Sequence, residues 1–91
     1  MSKPFDMGLF LSAVLKGSHA TRQRHLRQAT IIQAEIAESW QRKTPWSWQR
    51  KHVAWFLEHC LDAHSAATRY HYAMTVCLLV RRLQKSWIFN V

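Results

Sequence analysis

The chain has 91 residues, 48% of them apolar, which is enough for one packed core, and we expect a single domain over residues 1–91. Thirteen Lys and Arg stand against five Asp and Glu, so the formal net charge is +8. This composition excludes an intrinsically disordered chain and favours a polyanionic partner such as DNA, RNA, an anionic membrane or an acidic protein.

The first predicted helix begins at Pro4, a residue suited to a first helical turn, and runs to about Lys16. Gly17 can then adopt the left-handed conformation that commonly ends a helix. The apolar run Met7–Leu15 is interrupted and lacks a convincing cleavage site, so it does not predict a signal peptide. The apolar run Ala73–Val80 is too short to cross a bilayer. We therefore expect a cytoplasmic protein without a membrane segment.

The second predicted helix begins near His19, with Ser18 as its cap. It ends near Arg42 or Lys43, because Pro45 disfavours helical geometry in the residue before it. Its apolar residues recur at steps of three or four, the pattern of an amphipathic helix: Leu26, Ala29, Ile32, Ile36 and Trp40.

The third predicted helix starts between Thr44 and Ser47, which compete as its cap, and continues to about Ala63. Its apolar stripe consists of Val53, Phe56, Leu57, Cys60 and Leu61. Because two cysteines are too few for a disulfide framework, Cys60 and Cys77 are predicted to be buried free thiols.

The fourth predicted helix opens at Ser65 and runs to about Lys85. It has two apolar flanks, which predicts a central helix packed from two sides: Tyr70, Ala73, Met74, Cys77 and Leu78 on one, and Tyr72, Val76, Leu79, Val80 and Leu83 on the other. The aromatic tail, residues 86–91, docks either on the core or on a partner. The expected fold is all-α, a compact bundle of about four helices.

The sequence offers no arrangement typical of an active site. Glu35 and Glu38 are one helical turn apart, a spacing that solvated surface carboxylates adopt far more often than catalytic pairs. His59 and His64 are five residues apart and so do not share a helix face, as a zinc pair would. No Gly-rich loop could hold a nucleotide phosphate. We therefore expect a non-enzymatic protein without cofactor or metal.

Positive charge is concentrated on the second helix and at both ends of the fourth. Arginines on one helix could reach successive phosphates, and a basic side chain at a helix N-terminus is a common phosphate ligand. Trp46 and Trp48, beside two cations, belong either to the core or to a surface that stacks on bases, whereas Trp55 is expected in the interior. The candidate nucleic-acid-binding residues are Arg22, Arg24, Arg27, Arg50, Lys51, Arg69, His71, Arg81, Arg82 and Lys85.

Ser65, Thr68 and Tyr72 form an S-x-x-T-x-x-x-Y pattern at the start of the fourth predicted helix. The pattern and the apolar residues around it, roughly residues 48–85, resemble the core-binding, SAM-like domain of tyrosine recombinases and phage integrases. The resemblance implies that this domain clamps duplex DNA, with Arg69 and its basic neighbours facing phosphates. The 91 residues hold no counterpart of that family's catalytic domain, so the resemblance implies an accessory or regulatory protein of a mobile element.

Two other functions remain open at the level of sequence. The same charge would suit an RNA-binding factor. It would also suit a small inhibitor or adaptor, encoded by a phage or plasmid, that binds an acidic protein and uses the residues of the tail, Trp87 to Phe89, as a hot spot. The spare apolar flank of the fourth helix could instead form a dimer interface.

Overall fold

The computed structural model describes residues 5–89, which are mainly helical and contain no strand. The chain forms four α-helices, and a short 3-10 turn at Pro45–Ser47 separates the second from the third. The helices are α1 (Met7–Leu11), α2 (His19–Trp40), α3 (Arg50–His59) and α4 (Ala66–Leu83). The predicted all-α bundle is confirmed. Within the described residues, none of the helices has the length and apolarity needed to span a membrane.

Serine caps begin the two long helices, as the sequence predicts. The Ser18 and Ser65 hydroxyl oxygens each accept a hydrogen bond from a backbone N–H in the first turn, that of Thr21 and that of Thr68, both at 3.2 Å. Each cap satisfies a backbone donor that the helix leaves free. Gly17, just before the first cap, has φ of +99°, so its predicted left-handed conformation is also confirmed.

Helix α1 is much shorter than predicted. Asp6 caps it by accepting a hydrogen bond from the Leu9 N–H at 3.1 Å, and it ends at Leu11. A turn follows, in which the Val14 and Leu15 N–H groups both donate to the Leu11 carbonyl. Gly17 therefore precedes α2 and does not end α1. The predicted role of Pro4 lies outside the described residues.

The connection between α2 and α3 corrects the predicted boundaries. Helix α2 ends at Trp40, where Gln41 takes a left-handed φ of +58°. The 3-10 turn at Pro45–Ser47 follows, so α3 begins only at Arg50, with Gln49 as its N-cap and neither Thr44 nor Ser47 in that role.

The later boundaries also fall inside those predicted. Helix α3 stops at His59, four residues short of Ala63. Helix α4 stops at Leu83, short of Lys85, and Gln84 takes a left-handed φ of +59°.

Only one flank of α4 is buried, contrary to the prediction of a helix covered on both sides. The inward flank, Tyr72, Val76, Leu79, Val80 and Leu83, belongs to the core. On the other flank Tyr70 is 62% exposed and Met74 43% exposed. Cys77 is exposed as well, so the prediction of a buried thiol is wrong there, whereas Cys60 is half-buried. Nothing within residues 5–89 packs over this outer flank to complete the burial.

The aromatic residues divide between core and surface. Trp48 is buried, Trp46 is exposed, and Trp55 is half-buried against the core, where its ring meets that of Trp40 edge-on at 6.1 Å between centroids. In the tail, Trp87 and Phe89 pack against the core. The described part of the tail therefore docks on the bundle, and residues 90–91 lie outside the description.

Candidate nucleic-acid interface

The positive charges of the protein are not neutralised internally. Within residues 5–89 the only contact between a basic side chain and a carboxylate joins His59 to Glu58, its exposed neighbour, at 3.9 Å. No Lys or Arg of this part of the chain lies within 4.0 Å of a carboxylate oxygen. These Lys and Arg side chains contact solvent, aromatic rings or backbone carbonyl oxygens. Because no carboxylate neutralises their charge, it can attract an anionic ligand.

A buried polar network fixes how α2 sits against α4. The Nδ1 atom of His25 lies 2.8 Å from the Thr75 hydroxyl, which donates to the Gln28 Oε1 at 2.8 Å. Hydrogen bonds through the Thr75 hydroxyl thus connect the two polar side chains of α2 to α4. Thr75 also lies 3.2 Å from the carbonyl oxygen of His71, one turn earlier on α4.

Arg24 and His71 lie on opposite sides of this junction and both act on His25. Burial is the main cause of the lowered pKa of His25, followed by the positive charge of Arg24 and then that of His71. The Nε of Arg24 is buried and has no acceptor among residues 5–89. Its guanidinium is therefore a charged donor that the fold leaves partly unused.

Arg27 extends this surface by one helical turn. It lies three residues after Arg24, on the same side of α2, and is exposed. It is near Tyr72 of α4: burial raises the pKa of that phenol, and Arg27 opposes the rise. We call Arg24, Arg27 and His71 the α2–α4 basic face.

Two of the other candidates on α2 and α4 lie away from this face. Arg22 precedes Arg24 by two residues, which is about 200° around the helix, so the three predicted arginines of α2 do not share one face. The same spacing separates Arg69 from His71, and Arg69 lines a groove between α3 and α4. Arg69 and His71, both near the start of α4, are therefore on different sides of that helix.

The candidates on α3 make contacts within the protein. Arg50 donates from Nε and Nη2 to the Ile88 carbonyl oxygen at 3.1 and 2.7 Å, and its guanidinium lies 5.0 Å from the Phe89 ring centroid. Lys51 extends over the Trp40 ring, with Nζ 5.7 Å from the centroid. Arg50 thus holds the tail against α3, a role that sequence reasoning missed because its partners are 38 residues away.

The cations at the end of α4 have different roles. Arg82 donates from Nε to the Phe10 carbonyl oxygen at 2.6 Å, and its guanidinium lies about 5 Å from the rings of Phe10 and Trp46. It ties α4 to α1 and to the 3-10 turn. Arg81 and Lys85 instead border a depression that adjoins the one lined by Arg69 and shares Leu57, Ala73 and Cys77 with it.

The histidines do not form a metal site within residues 5–89, where no three His, Cys, Asp or Glu residues converge. His52 is buried and accepts a hydrogen bond at Nδ1 from the Gln49 N–H at 2.9 Å. Its ring lies 4.8 Å from that of Trp40. Burial, with smaller effects from Arg42 and Lys51, lowers the pKa of His52, so it serves as a neutral helix cap.

The ten predicted residues therefore fall into separate groups. Arg24, Arg27 and His71 come together across α2 and α4, and Arg69, Arg81 and Lys85 border a groove. Arg50 and Arg82 hold the tail and α1, Lys51 lies over the Trp40 ring, and Arg22 stands apart. Comparison of the chain with protein-family models, with curated proteins and with solved structures gives no significant match.

Proposed function

We propose that the protein is a non-catalytic nucleic-acid-binding module that holds the phosphate backbone of duplex DNA on the α2–α4 basic face. The observation that carries the proposal is the uncompensated charge of residues 5–89, where no Lys or Arg is within 4.0 Å of a carboxylate. A polyanion would neutralise these charges and release condensed counterions, which is the main source of sequence-independent affinity for DNA.

The α2–α4 basic face is favoured over the other cations for two reasons. Its members come from two helices whose relative position is fixed by the network of His25, Thr75 and Gln28, so a phosphate would meet a preorganised site. Arg24 and Arg27 also lie one helical turn apart on the same side of α2, and a phosphate oxygen is a strong acceptor for a guanidinium.

Duplex DNA is favoured over RNA by the resemblance of Ser65, Thr68 and Tyr72 to the core-binding domain of tyrosine recombinases. Two local expectations of that pattern are met, since Ser65 caps α4 and Tyr72 is buried. Any capped amphipathic helix shares these features. The recombinase relationship, and a role as an accessory protein of a mobile element, are therefore part of the proposal.

The test is competition between labelled duplex DNA, duplex RNA and single-stranded DNA across a salt series, with Arg24→Gln/Arg27→Gln as the test variant. The matched control is Arg81→Gln/Lys85→Gln, which removes the same charge elsewhere on the surface. We expect the test variant to bind duplex DNA at least about tenfold more weakly and to lose roughly two units of salt slope. The control should lose clearly less of both.

Circular dichroism and thermal melting establish that both double variants are folded. The proposal is overturned if no nucleic acid binds at low salt, or if both double variants lose the same affinity, which would indicate an unspecific effect of net charge. Preference for duplex RNA or for single strands would assign the basic face to that ligand and reject duplex DNA.

A further inference from the structure

A continuous apolar groove runs along the outer flank of α4, between α4 and α3. It consists of two adjoining depressions of about 460 and 500 Å³ that share Leu57, Ala73 and Cys77 as their common wall. Tyr70 and Met74 line one end, and Trp87 and Ile88 of the tail line the other. Ile88 is 78% exposed, more than Tyr70 or Met74. Such contiguous exposed apolar surface is typical of an interaction site.

The shape of the groove suits a helix. The eighteen residues of α4 span about 27 Å at 1.5 Å per residue, so the groove can accommodate an occupant of about four or five turns. Tyr70, Met74 and Cys77 recur at intervals of four and three along α4, the spacing by which one helix packs against another. Because the two depressions are concave, they fit a convex helix better than a flat lipid surface.

The charges around the groove indicate which kind of helix would bind in it. Three cations border it, Arg69 at one end and Arg81 and Lys85 at the other, and none of them lies within 4.0 Å of a carboxylate of residues 5–89. Glu58 is the one acidic residue lining it within the described chain. An occupant with acidic residues beside its apolar stripe would complement this border and gain in both affinity and association rate.

A second copy of the chain fits less well. A two-fold interface would place this border against itself, so Arg69, Arg81 and Lys85 of one copy would meet the same cations of the other. With a formal net charge of +8 on each copy, repulsion also acts at longer range. We infer that the α3–α4 groove is a docking site for an amphipathic helix with acidic flanks, contributed by a partner protein.

This site is separate from the α2–α4 basic face, and the two can be tested independently. The probe is a fluorescein-labelled 18-residue helical peptide with Leu at i, i+3, i+4 and i+7 repeats and Glu at the flanking positions. One comparison peptide carries Lys in place of every Glu, and another carries Ser in place of every Leu. Fluorescence anisotropy measures the binding of each to the full chain.

The test variant is Met74→Ser, and its control is Ile31→Ser on α2. The two side chains are 43% and 41% exposed, so the substitutions remove similar apolar surface from inside and outside the groove. We expect the Glu peptide to bind the wild-type chain and the Ile31→Ser variant equally, and Met74→Ser at least about fivefold more weakly. The Lys peptide and the Ser peptide should bind at least about tenfold more weakly than the Glu peptide.

Charge variants separate this site from the proposed nucleic-acid interface. Arg81→Gln/Lys85→Gln should weaken the peptide complex more than DNA binding, whereas Arg24→Gln/Arg27→Gln should weaken DNA binding more than the peptide complex. Failure of the DNA experiment alone would leave the peptide result unaffected. The inference is overturned if the Glu peptide does not bind, if the Lys peptide binds as well, or if Met74→Ser has no more effect than Ile31→Ser.

Two further outcomes would assign the groove to another occupant and so reject the inference. One is a dimer in analytical ultracentrifugation that Met74→Ser dissociates and Ile31→Ser does not. The other is binding to phosphatidylserine vesicles with the same dependence on Met74.

Truncation after Lys85, which removes the tail wall, should weaken the peptide complex and leave DNA affinity within about twofold of wild type.

Discussion

The two sides of α4 show how one helix can serve two different surfaces. Toward α2 it is buried, and Thr75 joins His25 and Gln28 in a polar network that links the two helices. Toward the outside it presents Tyr70, Met74 and Cys77 to an open groove. The side that faces α2, the closed side, holds charged residues in fixed positions, whereas the side that faces the groove, the open side, leaves apolar side chains exposed. One helix therefore combines a rigid, packed surface with an exposed surface suited to binding.

Of the variants that test this comparison, Thr75→Val should have the largest effect, because it disrupts the buried polar network on the closed side of α4. The substitution removes the hydrogen-bond partner of His25 and of Gln28 and leaves both buried without partners. We expect the free energy of unfolding in urea to fall by about 1–3 kcal/mol. The control is Thr30→Val, the same change at an exposed position of α2, which should alter stability by no more than about 0.5 kcal/mol. Equal effects at the two positions would show that the network contributes nothing.

Acidification should act more gradually, on the closed side through His25 and on the start of α3 through His52. Burial is the first cause of the lowered pKa of both His25 and His52, so their unfolded forms bind protons more readily than the folded ones. The stability that their neutral forms provide is complete above the ordinary pKa of 6.5 and is lost as the pH falls through the depressed values. The free energy of unfolding, measured in urea between pH 8 and 5, should therefore decline below about pH 6.5.

Replacement of His52 by Gln provides the check on this explanation. It removes one of the two groups, so the decline should become shallower while the same trend from His25 persists. A wild-type stability that is constant or rises from pH 7 to 5 would contradict the proposed burial of neutral histidines.

The smallest effect is expected from Arg50→Gln, which weakens the attachment of the tail that lines one end of the groove. Two hydrogen bonds to the Ile88 carbonyl and the contact with the Phe89 ring are lost, but Arg50 itself is exposed. We expect about 1 kcal/mol of destabilisation and a measurable change in tryptophan fluorescence as Trp87 leaves the core. Arg22→Gln, at an exposed arginine of α2 that does not line the groove, is the control and should change neither quantity.

Local signals explain which parts of the fold the sequence could predict. Ser18 and Ser65 cap helices through atoms three residues away, and Gly17 adopts its conformation for reasons internal to one residue. The start of α3 was mispredicted because Pro45 begins a 3-10 turn, so the cap moves to Gln49. Thr44 and Ser47 were both suitable N-caps by residue type. Neither residue indicated that a 3-10 turn would come before α3.

Long-range contacts explain why the candidate site was only partly predicted. Composition and spacing identified the cations, but Arg50 and Arg82 find their partners 38 and 72 residues away. The apolar pattern of α4 likewise identified two flanks without showing that one would remain open, because coverage depends on where α3 and the tail pack. Periodicity predicts which side of a helix carries a charged residue, whereas the contacts that each charged residue makes depend on tertiary structure.

The contact between Arg82 and Phe10 also bears on the order in which the molecule acquires its structure. Helix α1 has only five residues, far fewer than an isolated helix needs to be stable in water. Arg82, which contacts the carbonyl oxygen and the ring of Phe10, is the second-last residue of α4. Helix α1 is therefore expected to become helical only after α4 is complete, and substitutions in α1 should accelerate unfolding and leave the folding rate nearly unchanged.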